Sequence, residues 1–250
     1  MKKTTFSLIA LSLVAFIGFS CSDDDSDDKK VEAPSFLRVT GTDADEVFLG
    51  TANNDTIVAG DGKDVITAGA GNDLVYGGNG DTFTGSTVLE SNGNDNIDGG
   101  DGNDQLVAEQ GDDVVNGGAG NDLISGSEGN DAVTGGSGND TFISLLFIED
   151  GAWLSNNLTS GVDIITDFTP GEDALIFFDR KPGFAQVTRQ QFLDAFGQTN
   201  GFNATVEGGN LILSWGTDKV TLNGSFGATP TTLEELETLL GGSSAIAYAQ

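Results

Sequence analysis

From Gly41 to Ile143 the sequence repeats with a period of nine, and this period most constrains what the chain can fold into. Counting back from Asp140 in nines gives Asp131, Asp122, Asp113, Asp104 and Asp95. Counting forward from Glu46 gives Asp55, Asp64 and Asp73, then Asp81 after only eight. The pattern reads as two arrays, residues 41–84 and 90–143, parted by Gly85–Leu89, with the fifth repeat one residue short. Eleven units share the form G-G-x-G-N-D-x-U-x, where U is a large apolar residue. The apolar column is Phe48, Ile57, Ile66, Val75, Phe83, Ile97, Leu106, Val115, Ile124, Val133 and Phe142, without exception. A glycine stands two places before the acid as Gly62, Gly71, Gly93, Gly102, Gly111, Gly120, Gly129 and Gly138, and directly before Asp81 as Gly80 in the shortened unit; Ala44 and Asn53 replace it at the start. Flexible filler has no reason to keep an apolar residue two places after every acid.

The columns predict a geometry. A three-residue x-U-x strand sends only its middle side chain to one face. The six residues G-G-x-G-N-D then reverse the chain, with glycine supplying positive φ and close backbone approach. Two units make one coil with a strand on each side, and successive coils stack about 4.8 Å apart as parallel strands. The turn acids of alternate units then also lie about 4.8 Å apart and repel by roughly 0.9 kcal/mol in water, more at lower dielectric. A long ladder of that kind needs cations between its turns. Oxygen-only ligation in a flexible loop suits Ca²⁺ better than Mg²⁺ or Zn²⁺.

Charge and composition narrow the function classes. The 250 residues carry 39 acidic and 10 basic side chains, a formal charge of −29, so charge opposes binding to nucleic acid or an anionic membrane surface. There is no histidine, which excludes a Ser-His-Asp triad and every His-ligated zinc site. A carboxylate-only glycosidase stays open on sequence grounds, since among 39 acids some pair always has a suitable spacing.

Residues 41–143 resemble the calcium-binding nonapeptide repeat of RTX proteins. The resemblance implies an all-β fold, a parallel β-roll with Ca²⁺ in each turn-to-turn gap. It implies metal ligation through the turns that carry Asp55, Asp64, Asp73, Asp81, Asp95, Asp104, Asp113, Asp122, Asp131 and Asp140. The accompanying glycines are Gly62, Gly71, Gly93, Gly102, Gly111, Gly120, Gly129 and Gly138. The first array reads as the weaker one. Ala44 and Asn53 stand at a turn needing positive φ, Glu46 replaces Asp, and Lys63 lies beside Asp64. RTX resemblance often implies a secreted enzyme or toxin whose repeats trail a catalytic domain, yet only about twenty residues lie between Cys21 and the repeats. A non-enzymatic chain is expected.

The amino terminus, MKKTTFSLIALSLVAFIGFSC, has Lys2 and Lys3, an apolar run from Leu8 to Phe19, and Cys21. The run falls short of the about 20 residues that span a bilayer and suits a secretion signal. It resembles a bacterial lipoprotein signal cleaved before Cys21, which is then acylated, although Gly18-Phe19 departs from the usual residues. The run SDDDSDDKK (Ser22 to Lys30) is a solvated spacer. It also looks like the surface-export tag of some Gram-negative lipoproteins. The expected organisation is a signal at 1–20, a lipidated and acidic linker at 21–40, the roll at 41–143, and a capping region at 144–250. The expected location is the outer membrane, exposed at the cell surface, with lipid as the only membrane contact. A structural, adhesion or matrix role is expected, with calcium-dependent polysaccharide binding as the alternative.

After the repeats, Gly161 to Asp179 reads as two strands. The first shows the alternation Val162-Ile164-Thr166-Phe168, and a Pro170-Gly171 turn precedes the second. Asp163, Ile165, Asp167, Phe168, Gly171 and Asp173 match the segment that follows RTX repeats. Its acids either mark turns or, through Asp163 or Asp167, help hold a terminal Ca²⁺. Thr188 with Gln191 and Thr231 with Glu234 read as capping boxes of two short helices, and a hairpin is expected around Gly216-Thr217. Trp153, Trp215 and most phenylalanines lie in this region and supply an apolar lid for the open end of the stack.

Overall fold

Each pair of repeats makes one coil, with a strand on either side of a shared apolar seam. The computed structural model describes residues 37–78, 93–149, 152–154, 161–179, 185–197, 201–215, 218–242 and 244–248. The expectations for residues 1–36, Cys21 among them, and for Gly80, Asp81 and Phe83 lie outside the described residues.

The roll opens with β1 (Arg38–Thr40), β2 (Val47–Thr51), β3 (Thr56–Val58), β4 (Val65–Ala70), β5 (Leu74–Tyr76) and β6 (Asn96–Asp101). It continues with β7 (Gln105–Val107), β8 (Val114–Ala119), β9 (Leu123–Ser125), β10 (Ala132–Ser137) and β11 (Thr141–Glu149). Odd strands pair in parallel in one sheet and even strands in the other. The expected three-residue strand appears only in the odd sheet. Strands β4, β6, β8 and β10 have six residues, because their trailing glycines also pair: Gly69 with Gly100, Gly100 with Gly118, Gly118 with Gly136. A Cβ on Gly100 would strike the carbonyl of Gly69, which is why glycine recurs there.

The two arrays expected from sequence are one continuous roll. β4 pairs directly with β6 and β5 with β7, so the described rungs close on each other across residues 79–92. Within the repeats neighbouring acids are otherwise 18 residues apart and here they are 31 apart, as Asp64 N–H donates to Asp95 and Asp73 N–H to Asp104. Parallel pairing is indifferent to the length of the connection, so the stack tolerates the extra residues.

Phe48, Ile57, Ile66, Val75, Ile97, Leu106, Val115, Ile124, Val133 and Phe142 are all buried between the sheets. The seam does not stop at Ile143, and the expected boundary there falls inside β11. Val133 is in register with Ile165 on β13 (Val162–Ile165), and Phe142 with Leu175 on β14 (Ala174–Asp179). On β13 the inward residues are Asp163 and Ile165, whereas Val162 and Ile164 are exposed. The alternation expected from sequence is thus inverted, because register with the preceding acid rung fixes which face turns in.

Short β12 (Ala152–Leu154) and β15 (Ala185–Gln186) add antiparallel partners to β11 and β14. Helix α1 (Arg189–Ala195) starts at Thr188 with the expected capping box to Gln191. Antiparallel β16 (Phe202–Glu207), β17 (Asn210–Trp215) and β18 (Asp218–Leu222) then extend the even sheet, and the β17–β18 pairing fits the expected hairpin. Helix α2 (Leu233–Leu239) is capped by Thr232, one residue later than expected, which turns Leu233 and Leu236 into the core. Glu235 instead accepts from Thr231 N–H at 2.7 Å. Finally β19 (Ile246–Ala247) pairs with β14. Phe177 packs against Phe192, Phe202 and Trp215 with ring centroids 5.2, 5.8 and 5.7 Å apart, so aromatic burial closes this end of the seam.

The fold is therefore all-β, a parallel β-roll closed by a mostly β segment that contains two short helices among the described residues.

Candidate metal centre

The turn acids line the two edges of the roll. One edge carries Glu46, Asp64, Asp95, Asp113, Asp131 and Asp163; the other carries Asp55, Asp73, Asp104, Asp122, Asp140 and Asp173. From Asp64 and Asp73 onward Oδ1 accepts the backbone N–H of the acid one coil earlier, as in Asp104 N–H to Asp122 at 2.9 Å and Asp122 N–H to Asp140 at 3.0 Å. All these acids are buried. The second carboxylate oxygen has no partner in Asp64, Asp73, Asp95, Asp104, Asp113, Asp122 and Asp131.

A buried, unpartnered carboxylate oxygen repeated rung after rung calls for a positive ligand. The space beside it is kept open by the glycine five places before the acid. A Cβ added to Gly99 would come 2.6 Å from Oδ2 of Asp104, and one on Gly117 would strike Oδ2 of Asp122. Among the described residues no three acidic side chains converge on one point. Each rung offers its gap a carboxylate oxygen, and turn carbonyls would supply the rest. An all-oxygen donor set in a flexible loop fits Ca²⁺.

Burial dominates the electrostatics. It pushes Asp113 to about 8, with Asp131 and Asp95 adding repulsion. Asp64 and Asp131 rise to about 7, and Asp73, Asp95 and Asp122 to about 6, for the same first reason. Asp163 goes highest, to about 9, through burial and then the charges of Asp131 and Asp218.

The glycines two before the acid behave as expected at Gly62, Gly71, Gly102, Gly111, Gly120, Gly129 and Gly138, all at positive φ between 120° and 146°. Gly93, the first of them after residues 79–92, is not in that region, though a Cβ there would still strike the carbonyl of Gly62. Ala44 and Asn53 do not adopt positive φ, so the strain expected there is absent. Each later glycine of this column lies against the backbone one coil below, as a Cβ on Gly62 would lie 2.7 Å from the Ala44 carbonyl carbon. Ala44 and Asn53 belong to the first coil and have no such neighbour. Among the described residues the non-glycine residues held at positive φ are Glu109 and Ser127, both at 75° and both four places before an acid.

One feature escaped the sequence reading. The residue before each acid forms a second, exposed ladder: Asn54, Asn72, Asn103 and Asn121 each accept the N–H one coil later, at 2.8–2.9 Å. The near-constant Asn column was its signal. Asp163 and Asp173 extend the rungs beyond the repeats. Asp167 does not; its two oxygens accept from Gly135 and Gly136 at 2.9 and 2.8 Å, so it marks a turn.

Gly117→Ala tests the glycine cradle. Its Cβ would collide with Oδ2 of Asp122 and the carbonyl of Gly135, and should cost about 3 kcal/mol of calcium-loaded stability. Gly227→Ala, with nothing within 4 Å of its Cβ, should stay within about 0.5 kcal/mol. Thermal unfolding in saturating Ca²⁺ reads both.

Fold and site together define a parallel β-roll with buried turn carboxylates, seven of which keep an unpartnered oxygen fit for a cation. Residues 40–83, 91–115 and 108–142 match the RTX calcium-binding nonapeptide repeat, four copies to the model. The chain thus carries RTX repeats, and this region binds several calcium ions. Among solved structures it is similar to the AlgE6R2 subunit of the Azotobacter vinelandii mannuronan C5-epimerase at 22% identity (85% of this chain, 92% of that one, TM-score 0.30). It is also similar to the AlgE6R3 subunit of that epimerase at 20% (91% and 87%, TM-score 0.27). A third likeness is to the extracellular lipase LipA of Serratia marcescens at 17% (85% and 40%, TM-score 0.32). No curated protein matches the chain.

Proposed function

We propose that the protein is a non-catalytic calcium-binding β-roll, held at the cell surface by a lipid on Cys21, with a structural, adhesion or matrix-contact role. The observation that carries this reading is the unbroken run of acid rungs from Glu46 to Asp173, which makes most of the chain a calcium-dependent scaffold. The absence of histidine from the sequence and the acidic run after Cys21 support it. Among the described residues no helix is long and apolar enough to cross a membrane, so the proposed attachment rests on the lipid.

Polysaccharide binding is the second reading, and it calls for exposed aromatic side chains on the carboxyl-terminal segment. Trp215, Phe177, Phe192 and Phe202 are instead buried in the cap core, which favours the first reading.

Replacing Cys21 by Ser should release the protein from the membrane fraction. A Ser variant that still pellets with membranes would refute the anchor. Deleting Asp23 to Asp28 should keep the lipid but lower protease shaving from intact cells; unchanged shaving would refute the export role of the acidic run. Binding of residues 31–250 to matrix polysaccharides with and without Ca²⁺ separates the two readings.

A further inference from the structure

The rungs of the ladder are not equivalent. Three of them close on themselves. Thr42 N–H donates to Oε2 of Glu46 at 2.7 Å, Thr51 N–H to Oδ2 of Asp55 at 2.6 Å, and Thr169 N–H to Oδ2 of Asp173 at 2.7 Å. In each case the donor is a threonine four places before the acid. With Oδ1 of Asp55 and Asp173 taken by the N–H of Leu37 and Asp140, both oxygens of these two carboxylates are engaged by the chain itself.

The open rungs differ at that same position. Gly60, Gly69, Gly100 and Gly118 stand four places before Asp64, Asp73, Asp104 and Asp122, all at positive φ between 98° and 114°. Before Asp113 and Asp131 stand Glu109 and Ser127, the two non-glycine residues that nevertheless adopt φ of 75°. Positive φ turns the peptide N–H away from the acid. Gly60 N–H, for example, goes to the carbonyl of Gly78 at 3.2 Å. In all six of these rungs Oδ2 is left buried without a partner. A non-glycine residue at positive φ costs of order 1 kcal/mol, so something holds Glu109 and Ser127 there.

We infer that the residue four places before each acid gates its calcium site. A left-handed residue leaves Oδ2 for the ion, and a threonine in ordinary conformation seals it with its own N–H. Calcium then occupies the rungs of Asp64, Asp73, Asp104, Asp113, Asp122 and Asp131, and that of Asp140 behind Gly136 at φ of 101°, while the carboxylates of Glu46, Asp55 and Asp173 are self-capped ends of the two ladders. An end rung has a coil on one side only, so a sealed carboxylate there ends the ladder without an ion exposed at its tip. Asp55, which the repeat pattern assigns as a ligand, is thereby removed from the set, and Thr42, Thr51 and Thr169 gain a role that no repeat column predicts.

The inference rests on calcium loading of the roll and is independent of where the protein is displayed. Calcium bound per folded full-length chain, counted by native mass spectrometry, tests it. Asp55→Asn and Asp173→Asn should bind the wild-type number of ions, and Asp122→Asn at least one fewer. Thr51→Gly should add one, because its N–H is freed from Asp55. Loss of an ion in Asp55→Asn, or no gain in a folded Thr51→Gly, would overturn the gate. Should Asp122→Asn fail to fold in calcium, the count in Asp55→Asn decides alone. A wild-type chain that binds no calcium would refute the loaded roll itself, a result distinct from any redistribution among rungs.

Discussion

In excess chelator at about pH 8 the roll should lose its β signal in circular dichroism, regain it on adding about millimolar Ca²⁺, and regain much of it without calcium at about pH 5. The first half follows from the ladder. Asp73, Asp95 and Asp122 are pushed to about 6, Asp64 and Asp131 to about 7, and Asp113 to about 8 by burial within the folded coils. Each pKa unit is worth about 1.4 kcal/mol, so ionising these rungs without a counter-ion exceeds the about 5–15 kcal/mol that holds a domain together. Calcium replaces that cost with attraction, and its binding energy becomes folding energy.

The acid arm follows from the sign of the shifts. These carboxylates hold their protons more tightly folded than unfolded, where the ordinary value is 3.8. The metal-free fold is therefore penalised as pH rises through about 6 to 8, and the penalty disappears as pH falls toward 4. With calcium bound this dependence should vanish above about pH 6. A full β spectrum in chelator at about pH 8 would refute the calcium requirement, and a metal-free roll unresponsive to acid would refute burial as its cause.

The second large effect is a ranking. Asp122→Ala should cost roughly 4 kcal/mol in saturating calcium, from one lost ion and from the Asp104 N–H left unpaired inside. Asp55→Ala should cost about 1–2 kcal/mol, since it removes mainly hydrogen bonds at the start of the roll. Asp122 has intact rungs on both sides, Asp104 and Asp140, whereas Asp55 has Asp73 on one side and the backbone of Leu37 on the other. Calcium titrations read by thermal shift compare the two. Equal losses, or a larger loss for Asp55→Ala, would reverse the order.

Much of this arrangement is already written in the sequence. A nine-residue period with one invariant apolar column leaves a two-sided stack as the solution that buries every U residue, and Ile57, Ile66, Ile97, Leu106 and Ile124 are indeed buried. The same period places acids on two edges, and mutual repulsion then requires a cation. These conclusions depend on spacing and charge, which are local and periodic.

What only the tertiary structure decided is non-local. Sequence counting cannot tell that Asp64 meets Asp95 across 31 residues, because strand pairing does not record the length of the chain between partners. Nor can it tell that Asp163 turns inward while Ile164 faces solvent, since that choice is set by register with Asp131 one coil earlier. Whether a carboxylate oxygen is open or sealed depends on where one N–H points, four residues upstream, and so on a backbone torsion. Thr51 and Ser127 occupy equivalent places in the repeat and are similar in chemistry, yet Ser127 is left-handed and Thr51 is not. Composition does not separate them. Ser127 lies inside the stack with coils on both sides, whereas Thr51 lies at its first coil, where the turn is free to close on its own acid.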